Sequence, residues 1–68
     1  MTAAEQLLEF FAYGHLPVHL QEISKPIAEL AHAFAEKTSP SAEQAVGLRK
    51  LLEAKDCFVR AKLLSVPR

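Results

Sequence analysis

Three aromatic residues, Phe10, Phe11 and Tyr13, lie close together in the sequence just before a predicted turn. Aromatic rings stack on nucleobases, and the ammonium group of Lys25, a short distance further along, can neutralise a phosphate. This combination indicates a small-nucleotide site. The same residues also suit a purely structural role, in which the Phe rings fill the core and the Tyr13 hydroxyl points to water.

A pair of histidines raises a second possibility, a metal site. His15, His19 and Glu22 follow spacings of four and three residues, which would place three metal ligands on one face of an unbroken helix. Pro17 lies between the two histidines and interrupts such a helix. Two histidines and one carboxylate without further partners are a weak ligand set, so we expect no bound metal and no cofactor.

The sequence contains few residues suited to catalysis. Cys57 is the single cysteine, and it has Arg60 but no His at helical spacing, so we interpret it as a packed, inert thiol. Lys55 and Lys62 fall inside the apolar stripe of the last predicted helix. We expect their ammonium groups to reach water, with an inter-chain salt bridge or a ligand phosphate as the alternative. Since no nucleophile, base and orienting residue occur together, we predict no enzyme.

The length of the chain limits how these residues can be positioned. Its 68 residues carry eight Lys+Arg and eight Asp+Glu and are 50% hydrophobic, which predicts a single domain over residues 1–68. Two glycines cannot form a glycine-rich phosphate loop. A chain this short buries only about 60% of its unfolded surface, and one cysteine allows no internal disulfide. We therefore expect self-association to complete the core.

Charge and hydropathy exclude further classes. A neutral chain without a basic recognition helix is not typical of a DNA-binding protein. No apolar run approaches the roughly 20 residues that span a bilayer. The first nine residues contain Glu5 and Glu9 but no Lys or Arg, which is unlike a secretory or transit segment. We expect a cytoplasmic protein that binds neither DNA nor membranes.

The pattern predicts helices throughout. Thr2 and Glu5 form a capping box for a short helix from Ala3 to about Tyr13, which Gly14 would end in a left-handed conformation. The middle helix would run from Val18 to about Lys37. Its apolar stripe comprises Leu20, Ile23, Ile27, Leu30 and Phe34.

Two prolines affect the longer helices. Pro26 predicts either a bend near Ser24 or a new helix start with Ser24 as N-cap. The last helix would run from about Pro40 to Leu64, with Ser39 as N-cap or with Ser41 and Gln44 as a capping box. Two long helices joined by a short loop predict an antiparallel hairpin.

The last helix is apolar on more than one side. Its larger side chains would pack on the middle helix; they are Leu48, Leu51, Leu52, Phe58, Val59 and Leu63. A second strip, Gly47, Ala54 and Ala61 with Cys57 beside it, is small enough for a neighbouring chain to approach closely. The remaining face would form ion pairs between Arg49 and Glu53 and between Asp56 and Arg60.

Two blocks of sequence resemble a family of small phage proteins. The first block comprises residues 11–17, 20–26 and 30–31, and the second, more specific block comprises residues 41–61. Together they resemble the helical-hairpin domain of phage anti-CBASS nucleotide sponges, which is shared with the hairpin of anti-Thoeris sponges. The resemblance covers about residues 8–62.

The resemblance implies a non-enzymatic protein in the cytoplasm of the infected bacterial host. Such sponges bind cyclic di- and trinucleotides without cleaving them, so that the host effector is not activated. They form interlocked dimers that assemble into hexamers.

The resemblance also implies two sites. In the dinucleotide pocket between protomers, an aromatic residue contacts a base and a Lys contacts a phosphate, which matches Tyr13 and Lys25. A trinucleotide site on a three-fold axis matches Ser39, Pro40 and Arg60. The full predicted ligand-binding set is Tyr13, Lys25, Phe11, His15, Ser39, Pro40 and Arg60.

A second hypothesis belongs to another class. The small-residue strip with Gly47, Ala54 and Ala61 also suits a helical-hairpin adaptor or inhibitor that binds a protein partner.

Overall fold

In a computed structural model that describes residues 2–65, the chain forms three helices. They are α1 (Ala3–Glu9), α2 (Val18–Lys37) and α3 (Ala42–Leu64), and no strand occurs among the described residues. The predicted all-α class is therefore confirmed. The most extensive packing is between α2 and α3, and α1 packs against both.

The helix starts follow local capping. Thr2 Oγ1 accepts a hydrogen bond from the backbone N–H of Glu5 at 3.1 Å, as predicted. Ser41 Oγ accepts from the backbone N–H of Gln44, also at 3.1 Å, so α3 begins after Ser41. Of the two starts considered, the one at Ser41 is correct, and Pro40 lies before the helix.

The first helix ends earlier than predicted, at Glu9. The backbone N–H groups of residues 10–12 donate to carbonyls three residues earlier, at 3.1 to 3.3 Å, which tightens the chain into a 3₁₀-type turn. Gly14 does not have a positive φ, so the predicted left-handed termination is wrong. A turn closes instead through the Leu16 N–H, which donates to the Tyr13 carbonyl at 3.0 Å.

Pro26 does not divide the second helix. The helix is continuous from Val18 to Lys37, and Ser24 lies inside it, so the predicted new start at Ser24 is wrong. Pro26 removes the N–H that would donate to the carbonyl of Glu22. Both of these residues are exposed, so water can satisfy that carbonyl.

The core uses only part of the predicted stripe of α2: Leu20 is buried and Ile27 packs against the core, as predicted, but the stripe is shifted toward the alanines. Ala28 and Ala31 are buried against Phe11, whose side chain is 1% exposed, whereas Leu30 and Phe34 are 41% and 49% exposed. The bulky ring of Phe11 needs small residues opposite it, so α2 turns its alanines inward. The buried residues are Phe11, Leu20, Ser24, Ala28, Ala31 and Leu48.

The chain exposes more surface than a compact monomer of its mass. Its accessible surface is 4848 Å², whereas the usual scaling gives about 4,200 Å². The radius of gyration is 12.8 Å, against about 11 Å for a compact chain of this length. Large apolar side chains contribute to this surface; they are Phe10, Val18, Leu30, Phe34, Phe58, Leu63 and Leu64.

Ser24 is a buried polar residue inside α2. Its side chain is 1% exposed, and Oγ makes no hydrogen bond with the described residues. A buried hydroxyl that lacks a partner costs about 1–3 kcal/mol of stability.

Replacing Phe11 by Ala should lower the free energy of unfolding by about 3–5 kcal/mol, because it leaves a cavity among all three helices. Phe10→Ala is the matched control. Its ring is 64% exposed, so its loss should cost less than about 1 kcal/mol. Urea denaturation followed by circular dichroism measures both free energies of unfolding. Similar losses for the two variants would contradict the placement of Phe11 in the core.

Ser24→Ala should raise the free energy of unfolding by about 1 kcal/mol, because it removes the unpaired hydroxyl and favours helix. Ser41→Ala makes the same chemical change at an N-cap and should lower it by about 1 kcal/mol. A loss of stability in Ser24→Ala would mean that the hydroxyl has a partner in the folded protein.

Candidate functional site

The connection between α1 and α2 carries two of the predicted ligand-binding residues. Tyr13 is half-buried and packs against the core, whereas His15 is exposed. Gln21 Nε2 donates to the carbonyl of Leu16 at 2.8 Å, which ties the connection to the first turn of α2. Together with the bond from Leu16 to Tyr13, this holds both candidate residues in a defined turn.

Phe11 takes the structural role that the sequence also allowed. Its ring is covered by core residues of its own chain, so its faces are not open to a nucleobase. Phe10, at 64% exposure, is the accessible neighbour. The helical spacing of Leu7 and Leu8 could have revealed this difference, because both side chains pack against the core and Phe11 follows them on the same face.

Lys25 lies on the exposed side of α2. It takes part in neither of the ion pairs that form among residues 2–65. Its neighbour Pro26 is exposed as well and remains inside the helix, so the ring does not turn Lys25 away from solvent.

Ser39 and Pro40 lie exposed in the connection between α2 and α3, which is held by Gln44. Gln44 Nε2 lies 3.1 Å from the carbonyl oxygens of Ala35 and Thr38 and 3.0 Å from Thr38 Oγ1. The Gln44 side chain therefore fastens the end of α2 to the beginning of α3 instead of completing the predicted capping box.

Arg60 is remote from Ser39 and Pro40 within one chain. Eighteen residues of helix separate the start of α3 from Arg60, which corresponds to roughly 27 Å along its axis. The fold of a single chain therefore does not bring these three predicted site residues together.

An open, mostly apolar groove of about 680 Å³ lies beside the connection between α2 and α3. Phe34 of α2 borders it, and Ser39 lies at its edge. Gly47 and Ala54 also line it, so part of the predicted small-residue strip faces open space. Apart from the neighbouring residues and backbone of α3 itself, a Cβ atom at Gly47 would meet no atom within 4 Å.

The lysines that were expected to reach water bind within the chain. Lys55 Nζ donates to the carbonyl of Phe10 at 3.2 Å, and its side chain is only 14% exposed. Phe10 is the C-cap of α1, where carbonyls lack intrahelical donors and the helix dipole is negative. Lys62 Nζ lies 3.4 Å from Glu22 Oε2 and links the end of α3 to the beginning of α2.

Cys57 is exposed, which corrects the prediction of a packed thiol. Arg60 Nη2 lies 3.4 Å from its sulfur. The ion pairs among residues 2–65 are Lys55 with Asp56 and Lys62 with Glu22. The predicted pairs, Arg49 with Glu53 and Asp56 with Arg60, do not form among them.

The described part of the chain holds neither a metal-ligand cluster nor a membrane-spanning helix. Within residues 2–65, no three His, Cys, Asp or Glu side chains lie close enough to share a metal ion, so His15, His19 and Glu22 do not converge. None of the three helices combines the length and the hydropathy needed to cross a bilayer.

Comparison with known proteins finds no matching family model, no matching curated protein and no matching solved structure.

Lys55→Met keeps the apolar stem but removes the ammonium group, so it should lower the free energy of unfolding by about 1.5–3 kcal/mol, the range for hydrogen bonds to charged groups. Amide hydrogen exchange should accelerate most in α1, because the Phe10 carbonyl at the end of this helix loses its donor. Arg49→Met, an exposed change on the same helix, should cost less than about 0.5 kcal/mol. Equal effects of the two variants on α1 would contradict this role for Lys55.

Proposed function

We propose that this protein is a phage immune-evasion protein that binds and sequesters cyclic di- and trinucleotide second messengers without cleaving them. It would thereby block the activation of CBASS effectors in the cytoplasm of the infected bacterial host. The observation that carries the proposal is the placement of Tyr13 in a tied turn at the start of α2, with Lys25 exposed about two helical turns further on.

The symmetry of the ligand fits this pair of residues. A cyclic dinucleotide is nearly two-fold symmetric, so two copies of Tyr13 and Lys25 across a two-fold axis would meet two bases and two phosphates. The tied turn supports this role because a preorganised ring loses little entropy when a base stacks on it. His15, exposed on the same turn, would contact the ligand beside Tyr13.

A second site would use residues of several copies. Ser39 and Pro40 precede α3, and Arg60 lies roughly 27 Å along the helix from its start. A site that contains all three residues must therefore draw them from different chains. A three-fold axis would supply such a set to a cyclic trinucleotide. The three residues are exposed in the single chain and thus accessible for this purpose.

The proposal includes an antiparallel hairpin of α2 and α3 that self-associates, as a hexamer of interlocked dimers. Contacts support the hairpin, because Gln44 bonds to Ala35 at one end and Lys62 pairs with Glu22 at the other. The surplus of exposed surface supports self-association. No cofactor and no catalytic step enter this mechanism.

The groove favours an alternative function, a helical-hairpin adaptor or inhibitor that binds a protein partner. Gly47 and Ala54 line an open apolar groove that could accept a helix of another protein. In that case the protein alone would show no affinity for nucleotides.

A retention assay tests the proposal. The purified protein is mixed with a panel of cyclic di- and trinucleotides, separated from free nucleotide, and heated, and the released nucleotide is analysed by chromatography. Sequestration predicts that at least one nucleotide is retained and released intact. Absence of retention would contradict binding, and a degraded ligand would contradict a mechanism without cleavage.

Tyr13→Ala should weaken dinucleotide binding by about 10- to 100-fold, because base stacking on an aromatic ring contributes about 1–3 kcal/mol. Tyr13→Phe should retain most of the affinity because it keeps the ring. His32→Ala, an exposed change on α2, is the control and should leave binding unchanged. Titration calorimetry measures all three, and unchanged affinity in Tyr13→Ala would remove Tyr13 from the site.

A further inference from the structure

The groove beside the connection between α2 and α3 has an ordered chemical pattern. Glu43, Gly47, Lys50 and Ala54 follow one another along α3 at spacings of four, three and four residues, and all four line the groove. This row therefore reads acidic, small, basic, small along one side of the helix. Phe34 of α2 borders the groove and is 49% exposed.

The charges of this row are complementary to themselves. Glu43 and Lys50 lie on either side of Gly47, seven residues and about 10 Å apart along the helix axis. If a second α3 packs antiparallel against the first about a two-fold axis near Gly47, Glu43 lies opposite Lys50 of the partner subunit. The two-fold symmetry forms this pair twice, so each negative charge of one copy faces a positive charge of the other.

The backbone of α3 is accessible at the position of that axis. Apart from the neighbouring residues and backbone of α3 itself, no atom comes within 4 Å of a Cβ built on Gly47, so an approaching helix meets no obstacle there. Glycine in a helix interior costs about 1 kcal/mol relative to alanine. Close approach of a second helix offsets this cost by contacts that a larger side chain would prevent.

The exposed area is sufficient for such a contact. The chain exposes about 600 Å² more than a compact monomer of its mass. This excess belongs to the surface of the chain as a whole; an interface that covered an equal area on each of two copies would bury about 1,200 Å² in total, the lower end of the range for specific interfaces. Phe34, at the border of the groove, would be covered at the same time.

We propose that this groove is an interface between two copies of the chain, in which α3 packs antiparallel on a second α3 about a two-fold axis at Gly47. Glu43 pairs with Lys50 of the partner subunit on both sides of the axis. This interface specifies the self-association within the proposed function and needs no nucleotide.

A charge exchange tests the interface. Glu43→Lys and Lys50→Glu each place like charges opposite one another twice, so each should weaken self-association at least about tenfold. The double variant Glu43→Lys/Lys50→Glu restores opposite charges and should return to within about threefold of the original protein. Sedimentation equilibrium without nucleotide measures the association, and circular dichroism confirms that each variant is helical.

Arg49→Glu is the matched control, because it makes the same charge change as Lys50→Glu at a neighbouring exposed position that does not line the groove. It should leave the association constant unchanged. Equal weakening in this control, insensitivity to the single changes, or no recovery in the double variant would overturn the interface. A strictly monomeric original protein would overturn self-association as a whole.

The retention assay on the same variants separates the two proposals. If the original protein retains no nucleotide but association recovers in the double variant, the nucleotide function is contradicted and the interface is supported. If nucleotide is retained but the association constant does not change in the single charge variants, the nucleotide function is supported and the interface is overturned.

Discussion

The burial of the Phe11 ring is the contact on which the rest of the structure depends. Phe11 follows α1 directly and packs with Ala28 and Ala31 of α2 and Leu48 of α3, so one side chain joins all three helices. Because a large ring needs small neighbours, the inward face of α2 is the one that carries alanines. The same choice leaves Leu30 and Phe34 of α2 exposed, so apolar surface is available to a partner.

The candidate site is a consequence of this packing. Once Phe11 enters the core, the chain must turn within a few residues, and that turn carries Tyr13 and His15. Lys55, which lies on α3, donates to the carbonyl of Phe10 and so fixes the end of α1. The proposed stacking residue therefore lies on a segment that is held from both sides, although it belongs to no helix.

Much of the fold could be predicted because its signals are local. Thr2 and Ser41 cap their helices through bonds to a backbone N–H three residues away, and such bonds form whatever the tertiary context. The expectations for Gly14 and for a new start at Ser24 failed because they were backbone preferences, which packing can override. Within the candidate site, the exposure of His15 and Lys25 followed from their polarity. Which of the two rings, Phe10 or Phe11, is buried depended on which one packs against the alanines of α2.

By itself, the sequence determined an all-helical chain with neutral net charge, its helix starts, and a supply of apolar side chains too large for its own core. Only the tertiary structure decided which part of the apolar face of α2 is buried and where the ammonium groups of Lys55 and Lys62 bind. The physical reason is range. Caps and helical periodicity act within a turn or two, whereas the choice of the buried part of that face depends on the size of a ring that arrives from another part of the chain.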